Sequence, residues 1–145
     1  MSNVFYNTFK GKDGNDWSAG ADAAYKCLLV TGSYTPDPDH NFVADLTPGS
    51  NEITGGSYAR QNVGTRTKTK NTTTDKYEHA AANPQFTALA GPAQPRYCVV
   101  YRVVSTDADH QLVAALDLGS GLAIVGDFMV KFNGGATSGI VFTGS

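Results

Sequence analysis

The sequence is short of charge. Asp, Glu, Lys and Arg make up 17% of its 145 residues, against about a quarter in an average globular domain. The formal net charge is −2. No basic excess drives phosphate binding, so direct contact with nucleic acid is not expected. No run of eighteen apolar residues occurs, so no membrane-spanning helix and no membrane partner are expected. Met1 to Asp13 lacks the apolar core of a secretory signal, which points to folding in a cytoplasm. Cysteine occurs twice, at Cys27 and Cys98, each inside an apolar run. The pair reads as two buried thiols or as a disulfide formed late, after release from a reducing cytoplasm. A chain of this length buries roughly 68–70% of its unfolded surface, so its core needs neither a metal nor a disulfide.

Chemistry is also sparse. No Gly-rich phosphate loop opens a helix, and Gly119-Ser120-Gly121 is too short for a nucleotide fingerprint. No Gly-x-Ser-x-Gly elbow is present. His40, His79 and His110 are scattered. A Ser-His-Asp triad is spatial and leaves no linear trace, yet nothing meets the first steps of an active-site search. No catalytic residue, cofactor or metal is expected. Asp37 and Asp39, with His40 and Asp45 nearby, could offer oxygen ligands to calcium or make turns through their own backbone. Asp107 and Asp109 pose the same choice. A carbohydrate-binding β-sandwich is a further reading, but such sites need exposed aromatics and Trp17 is the single tryptophan.

What the sequence does have is Gly, Thr, Ser and Asn, which favour turns and strands over helices. Tyr25 to Val30 is a continuous apolar run and reads as a buried strand. Phe42 to Leu46 could make one helical turn, stopped by Pro48-Gly49. Tyr58 to Lys70 alternates and reads as one strand, with Lys76 to Ala82 returning beside it after a turn at Asn71 to Asp75. Phe86 to Leu89 is a short strand, and Gly91 to Pro95 a loop. Tyr97 to Val104 and Gln111 to Leu118 form a pair. Asp127 to Phe132 alternates, Asn133-Gly134-Gly135 is a tight turn, and Gly139 to Thr143 is a last strand. About eight short strands imply an all-β chain, a single-domain antiparallel β-sandwich or small barrel. Leu28, Val30, Val99, Tyr101, Val103, Leu116, Phe128, Val130 and Phe132 are its expected core. Residues 1–22 are set apart as an N-terminal arm before a β-domain at 23–145.

Two features suggest contact with partners. Arg60, Arg66, Lys68 and Lys70 fall on one side of the expected strand, either as a solvated face guarding an edge or as a docking stripe for an acidic surface. Phe5, Tyr6 and Phe9 form an aromatic group ahead of Gly11 and Gly14. They would pack on a neighbouring subunit, or cap one end of the home sandwich. Removing Met1 to Lys12 would spare folding on the first of these readings.

Several phrases resemble a family of small virion structural proteins of tailed bacteriophages. They run from Cys27-Leu28-Leu29-Val30 through Tyr34-Thr35-Pro36-Asp37 to His40-Asn41-Phe42-Val43-Ala44-Asp45-Leu46. Pro48-Gly49, Glu52-Ile53 and Gly56-Ser57-Tyr58-Ala59-Arg60 follow. Val99-Val100-Tyr101, Leu112-Val113-Ala114 with Asp117, and Gly126 to Phe132 complete the set. The resemblance implies a β-rich, non-enzymatic component of the virion, assembled in the host cytoplasm. Its best placement is a capsid decoration or cement protein on the head, bound to the major capsid protein as a dimer or trimer. A tail, baseplate or tail-tip β-domain used in attachment is the alternative. Ala80-Ala81-Ala82-Asn83-Pro84 departs from the acidic stretch that family members often carry there.

Overall fold

The computed structural model describes residues 4–7, 24–73 and 76–130. The fold is all-β, antiparallel and sandwich-like. Its strands are β1 (Val4–Phe5), β2 (Tyr25–Val30), β3 (Gln61–Asn62), β4 (Thr67–Asn71), β5 (Lys76–Ala80), β6 (Gln85–Ala93), β7 (Tyr97–Arg102), β8 (Gln111–Asp117) and β9 (Ile124–Met129). A five-stranded sheet has the order β1-β8-β7-β2-β3, and β4-β5 and β6-β9 form two-stranded ribbons.

The apolar runs of β2, β7 and β8 are continuous because the central sheet is buried on both faces. Alternation along each strand deals its side chains to two cores. Cys27, Leu29, Cys98, Val100 and Leu116 meet Phe86, Leu89 and Val130 from the β6-β9 ribbon. Leu28, Val30, Val99, Tyr101, Leu112 and Ala115 lie instead under Tyr6, Tyr34, Val43 and Leu46. Val100 pairs with Ala114 but Tyr101 pairs with Leu112, so Val113 is an extra residue on β8. This bulge lets Val113 and Ala114 join the same core despite being adjacent.

The second core is closed by a folded loop rather than a second sheet. Asp45 accepts the Asn41 and Phe42 amides at 2.9 and 3.0 Å. This starts a 3-10 turn, Val43–Leu46, that buries Val43 and Leu46. One turn of α-helix follows at Pro48–Asn51. The expected helical turn before Pro48 is thus present and ends at Leu46, and Pro48 also opens the next turn, since proline at the first position has no amide to waste.

Several expectations are corrected. The segment from Tyr58 to Lys70 is not one strand. It pairs only at Gln61–Asn62 and Thr67–Asn71, and Thr65 between them has φ 51°, a left-handed turn of the backbone that separates the two paired pieces. Strand β6 continues through Gly91 and Pro92 to Ala93, where a loop was expected. Register shifts between Phe86 and Ala93, with Ala88 at φ 48°, let it keep pairing with β9. Val103 and Phe128 pack half-buried against the cores. The other expected core residues from Leu28 to Val130 are buried. Phe132, the turn at Asn133 and the strand at Gly139 to Thr143 lie outside the described residues.

The cysteines are free and buried. Cys27 pairs with Val100 and Cys98 with Leu29, so the two thiols are diagonal neighbours in one core. Burial pushes the Cys27 thiol up, and Cys98 beside it adds to the shift, which keeps it protonated and unreactive. A thiol reagent should therefore label almost no cysteine in the native chain and both in denaturant. Rapid labelling of either thiol without unfolding would contradict this packing.

Candidate interaction surfaces

The four residues of the expected basic stripe do not share a face. Arg60 lies in the turn after Gly55-Gly56, which presses against β6. Gly56 bridges Leu89, and a Cβ there would collide with the Ala88 carbonyl oxygen. Only glycine permits that approach at φ 59°. The turn delivers Tyr58 and Arg60 onto the main sheet. Tyr58 stacks on Phe86 with ring centroids 5.8 Å apart. Its hydroxyl accepts the Leu29 amide at 3.1 Å and donates to Glu52 Oε2 at 2.6 Å.

Arg60 is gripped by two carboxylates. Its Nε and Nη2 donate to Glu52 at 2.9 and 2.8 Å, and Nη1 and Nη2 donate to Asp107 at 2.7 and 3.2 Å. Its guanidinium carbon lies 5.6 Å from the Tyr101 ring centre. The guanidinium holds the Asp107 carboxyl below its ordinary range. Burial and the Glu52 carboxylate hold the Tyr58 hydroxyl above its own. The clamp ties the segment after the α-turn to the tip of the β7-β8 hairpin, and Arg60 is spent within the chain.

Arg66 is likewise internal. It is buried, stacks 4.7 Å from the Tyr25 ring centre and donates to the Val63 carbonyl at 2.6 Å. Lys68 and Lys70 stand on β4 opposite His79 and Tyr77. Being two apart, they share one face of that ribbon. The stripe thus reduces to two lysines.

The aromatic group separates too. Phe5 belongs to β1, where it pairs with Ala114, and Phe9 lies outside the described residues. Tyr6 is fully buried in the second core. Its hydroxyl is 2.8 Å from that of Tyr34, which in turn is 2.9 Å from His40 Nδ1. Residues 4–7 of the expected arm are part of the main sheet on the home chain. Within one chain Tyr6 is not an exposed docking residue, since its ring is already hidden from water in a core.

The acidic loops serve turns. Asp37 accepts the Asp39 amide at 2.9 Å, and Asp39 accepts from the Asn7 side chain at 2.8 Å. Asp109 accepts from Ser105 and Thr106. Among the described residues, no three His, Cys, Asp or Glu side chains converge to hold a metal ion. His110 accepts the Val104 amide at 2.9 Å and is pushed below the ordinary histidine range, chiefly by burial.

A shallow groove of about 260 Å3 runs between Gly32, Arg96 and Gly119 to Ala123. Its cation is already paired, Arg96 donating to Asp117 at 3.0 and 3.2 Å. Among the described residues, the large apolar side chains exposed to solvent are Phe42, Val104, Val125 and Met129, with Val125 74% exposed. On β9, Val125, Asp127 and Met129 alternate outward. The Ala88 amide binds the Asp127 carboxylate at 2.9 Å.

Sequence reasoning missed Glu52 and Asp107 as partners of Arg60. Asp107 lies far along the chain and carries no local sign of the pairing. Compared with family models, curated proteins and solved structures, the chain matches none.

Proposed function

We infer that this chain is a structural protein of a tailed-bacteriophage particle, a decoration or cement subunit that binds the head surface and catalyses no reaction. The observation that carries the reading is where the family-like phrases go. Tyr34, Val43 and Leu46 close the second core, Asp45 caps the 3-10 turn, and Glu52, Tyr58 and Arg60 build the clamp. These residues specify a scaffold, as expected of a family related by architecture. Among the described residues, Arg60, Glu52, Asp107, Arg96 and Asp117 are paired within that scaffold.

A cement subunit needs a rigid scaffold and surface for contact, and the two buried cores with exposed Val125 and Met129 support the reading. Its partner in this reading is the major capsid protein, met by exposed apolar side chains and by the β4 lysines. Surface ion pairs contribute only about 0.2–1 kcal/mol each, so the lysines adjust affinity and association rate more than they set binding. Quantitative mass spectrometry of purified particles tests the placement. A head decoration protein should be present in hundreds of copies, whereas a tail part should number about three to twelve, as closed symmetry requires. A count in the lower range would move the protein to the tail, and absence from particles would overturn the reading.

A further inference from the structure

The outer edge of β8 is covered by two pieces of chain laid end to end. Val4 and Phe5 pair with Ala115 and Ala114, and the Tyr6 amide extends the ladder to the Val113 carbonyl at 3.0 Å. Directly beyond, the Leu112 amide donates to the Asn41 carbonyl at 3.0 Å, Phe42 bridges Gln111, and the Val43 amide meets the His110 carbonyl. One half of this composite strand, residues 41–43, enters the 3-10 turn. The other half is a short peptide with three attachments. These are its ladder bonds, the Tyr6 ring sunk in the core beside Tyr34, and a clasp at Asn7. The Asn7 amide donates to the Pro38 carbonyl at 2.9 Å, and its side chain to Asp39 at 2.8 Å.

Backbone pairing along a sheet edge plus one pocketed side chain is how sheets bind extended peptides. Here the peptide is joined to Ala24, just ahead of β2, through residues 8 to 23, sixteen in all. Sixteen residues can span roughly 53–58 Å, while a folded chain of this length has a radius of gyration of about 15 Å. The peptide can therefore reach its own β8 or the identical β8 of a neighbour, and every contact is the same in either place. We propose that the β8 edge, with its Tyr6 pocket, is a receptor for Val4–Asn7 of a second copy, so that adjacent copies are joined by exchanging N-terminal strands. In dilute solution the home site wins, because a contact within one chain has an effective concentration of order millimolar. Copies packed within reach of one another compete at a similar concentration. The inference concerns the chain itself and stands apart from its placement on a particle.

Tyr6 and Val113 are a hydrogen-bonded pair, so Phe5 and Ala114 next to them are a non-hydrogen-bonded pair with Cα atoms about 4.5 Å apart, within the range a disulfide bridges. A chain carrying Phe5→Cys is mixed with one carrying Ala114→Cys under oxidised glutathione, and heterodimer is read on a non-reducing gel. Yield should rise with concentration toward about 1 mM and exceed by about tenfold that of Phe5→Cys mixed with Val104→Cys, which lies off the site. Phe5→Cys and Ala114→Cys in one chain should form the internal bond. If that internal bond forms but the mixture gives no heterodimer at any concentration, exchange does not occur. A second measurement needs no substitution. Light scattering of the unaltered chain should show a reversible dimer by about 1 mM, and a chain that stays monomeric there overturns the proposal.

Discussion

Tyr6→Ala should destabilise the chain by about 3–5 kcal/mol, the range for deleting a buried aromatic ring. Tyr6 is fully buried, although it sits six residues from the start of the sequence. Its ring fills the second core between Tyr34, Leu112 and the 3-10 turn residues Val43 and Leu46, and its removal leaves a cavity that a fixed sheet cannot collapse around. Tyr6→Phe keeps the ring and loses only the bond to the Tyr34 hydroxyl, a loss of about 1 kcal/mol. Urea unfolding of the three proteins would separate the terms. Removal of Met1 to Lys12 deletes the ring and the β1 ladder together and should cost at least as much as Tyr6→Ala. This is the outcome of the reading in which the aromatic group caps the home sandwich, not of the one in which the deletion spares folding. A Tyr6→Ala loss below about 1 kcal/mol would mean that the ring does not fill that core.

The strands that could be read from the sequence are those whose pattern is local. Tyr25 to Val30, Tyr97 to Arg102 and Gln111 to Asp117 carry unbroken apolar runs, and a run with no polar face is what a strand buried on both sides requires. The hairpin of β4 and β5 was legible from the turn that follows an alternating stretch and precedes a returning one. The features that misled depend on partners distant in sequence. Arg60 and Arg66 occupy alternate positions, as a solvated stripe would. One is drawn to Asp107 and the other to the Tyr25 ring, and nothing near either arginine announces those partners. Phe5 and Tyr6 read as an arm because a short aromatic group before a glycine-rich stretch cannot reveal the sheet edge it covers. Val113 is similar, since a bulge changes which face a residue takes without changing composition.

Arg60→Met should cost about 2–3 kcal/mol, less than the roughly 3–5 kcal/mol of breaking a fully buried ion pair. The discount reflects partial exposure, with the Arg60 side chain 22% and the Glu52 side chain 13% accessible. Most of the loss is the cost of leaving Glu52 charged in a site where only the Tyr58 hydroxyl still donates to it. Neutralising that carboxylate should recover part of the stability. Arg60→Met with Glu52→Gln should therefore be less destabilising than the sum of the two single changes. Acid adds a signature of its own. The Asp107 carboxyl is held below its ordinary value first by its hydrogen bond to Arg60, so its folded pKa lies below its unfolded one. The stability it contributes is complete above the unfolded value, near 3.9, and is lost as pH falls through the lower folded value. Wild-type stability should drop across that acid window, and the drop should be smaller in Asp107→Asn. On the docking-stripe reading, by contrast, Arg60→Met would leave stability unchanged and weaken only binding to a partner. A loss below about 1 kcal/mol, with no coupling between Arg60 and Glu52, would make the clamp an ordinary solvated ion pair and return Arg60 to the surface as a contact residue.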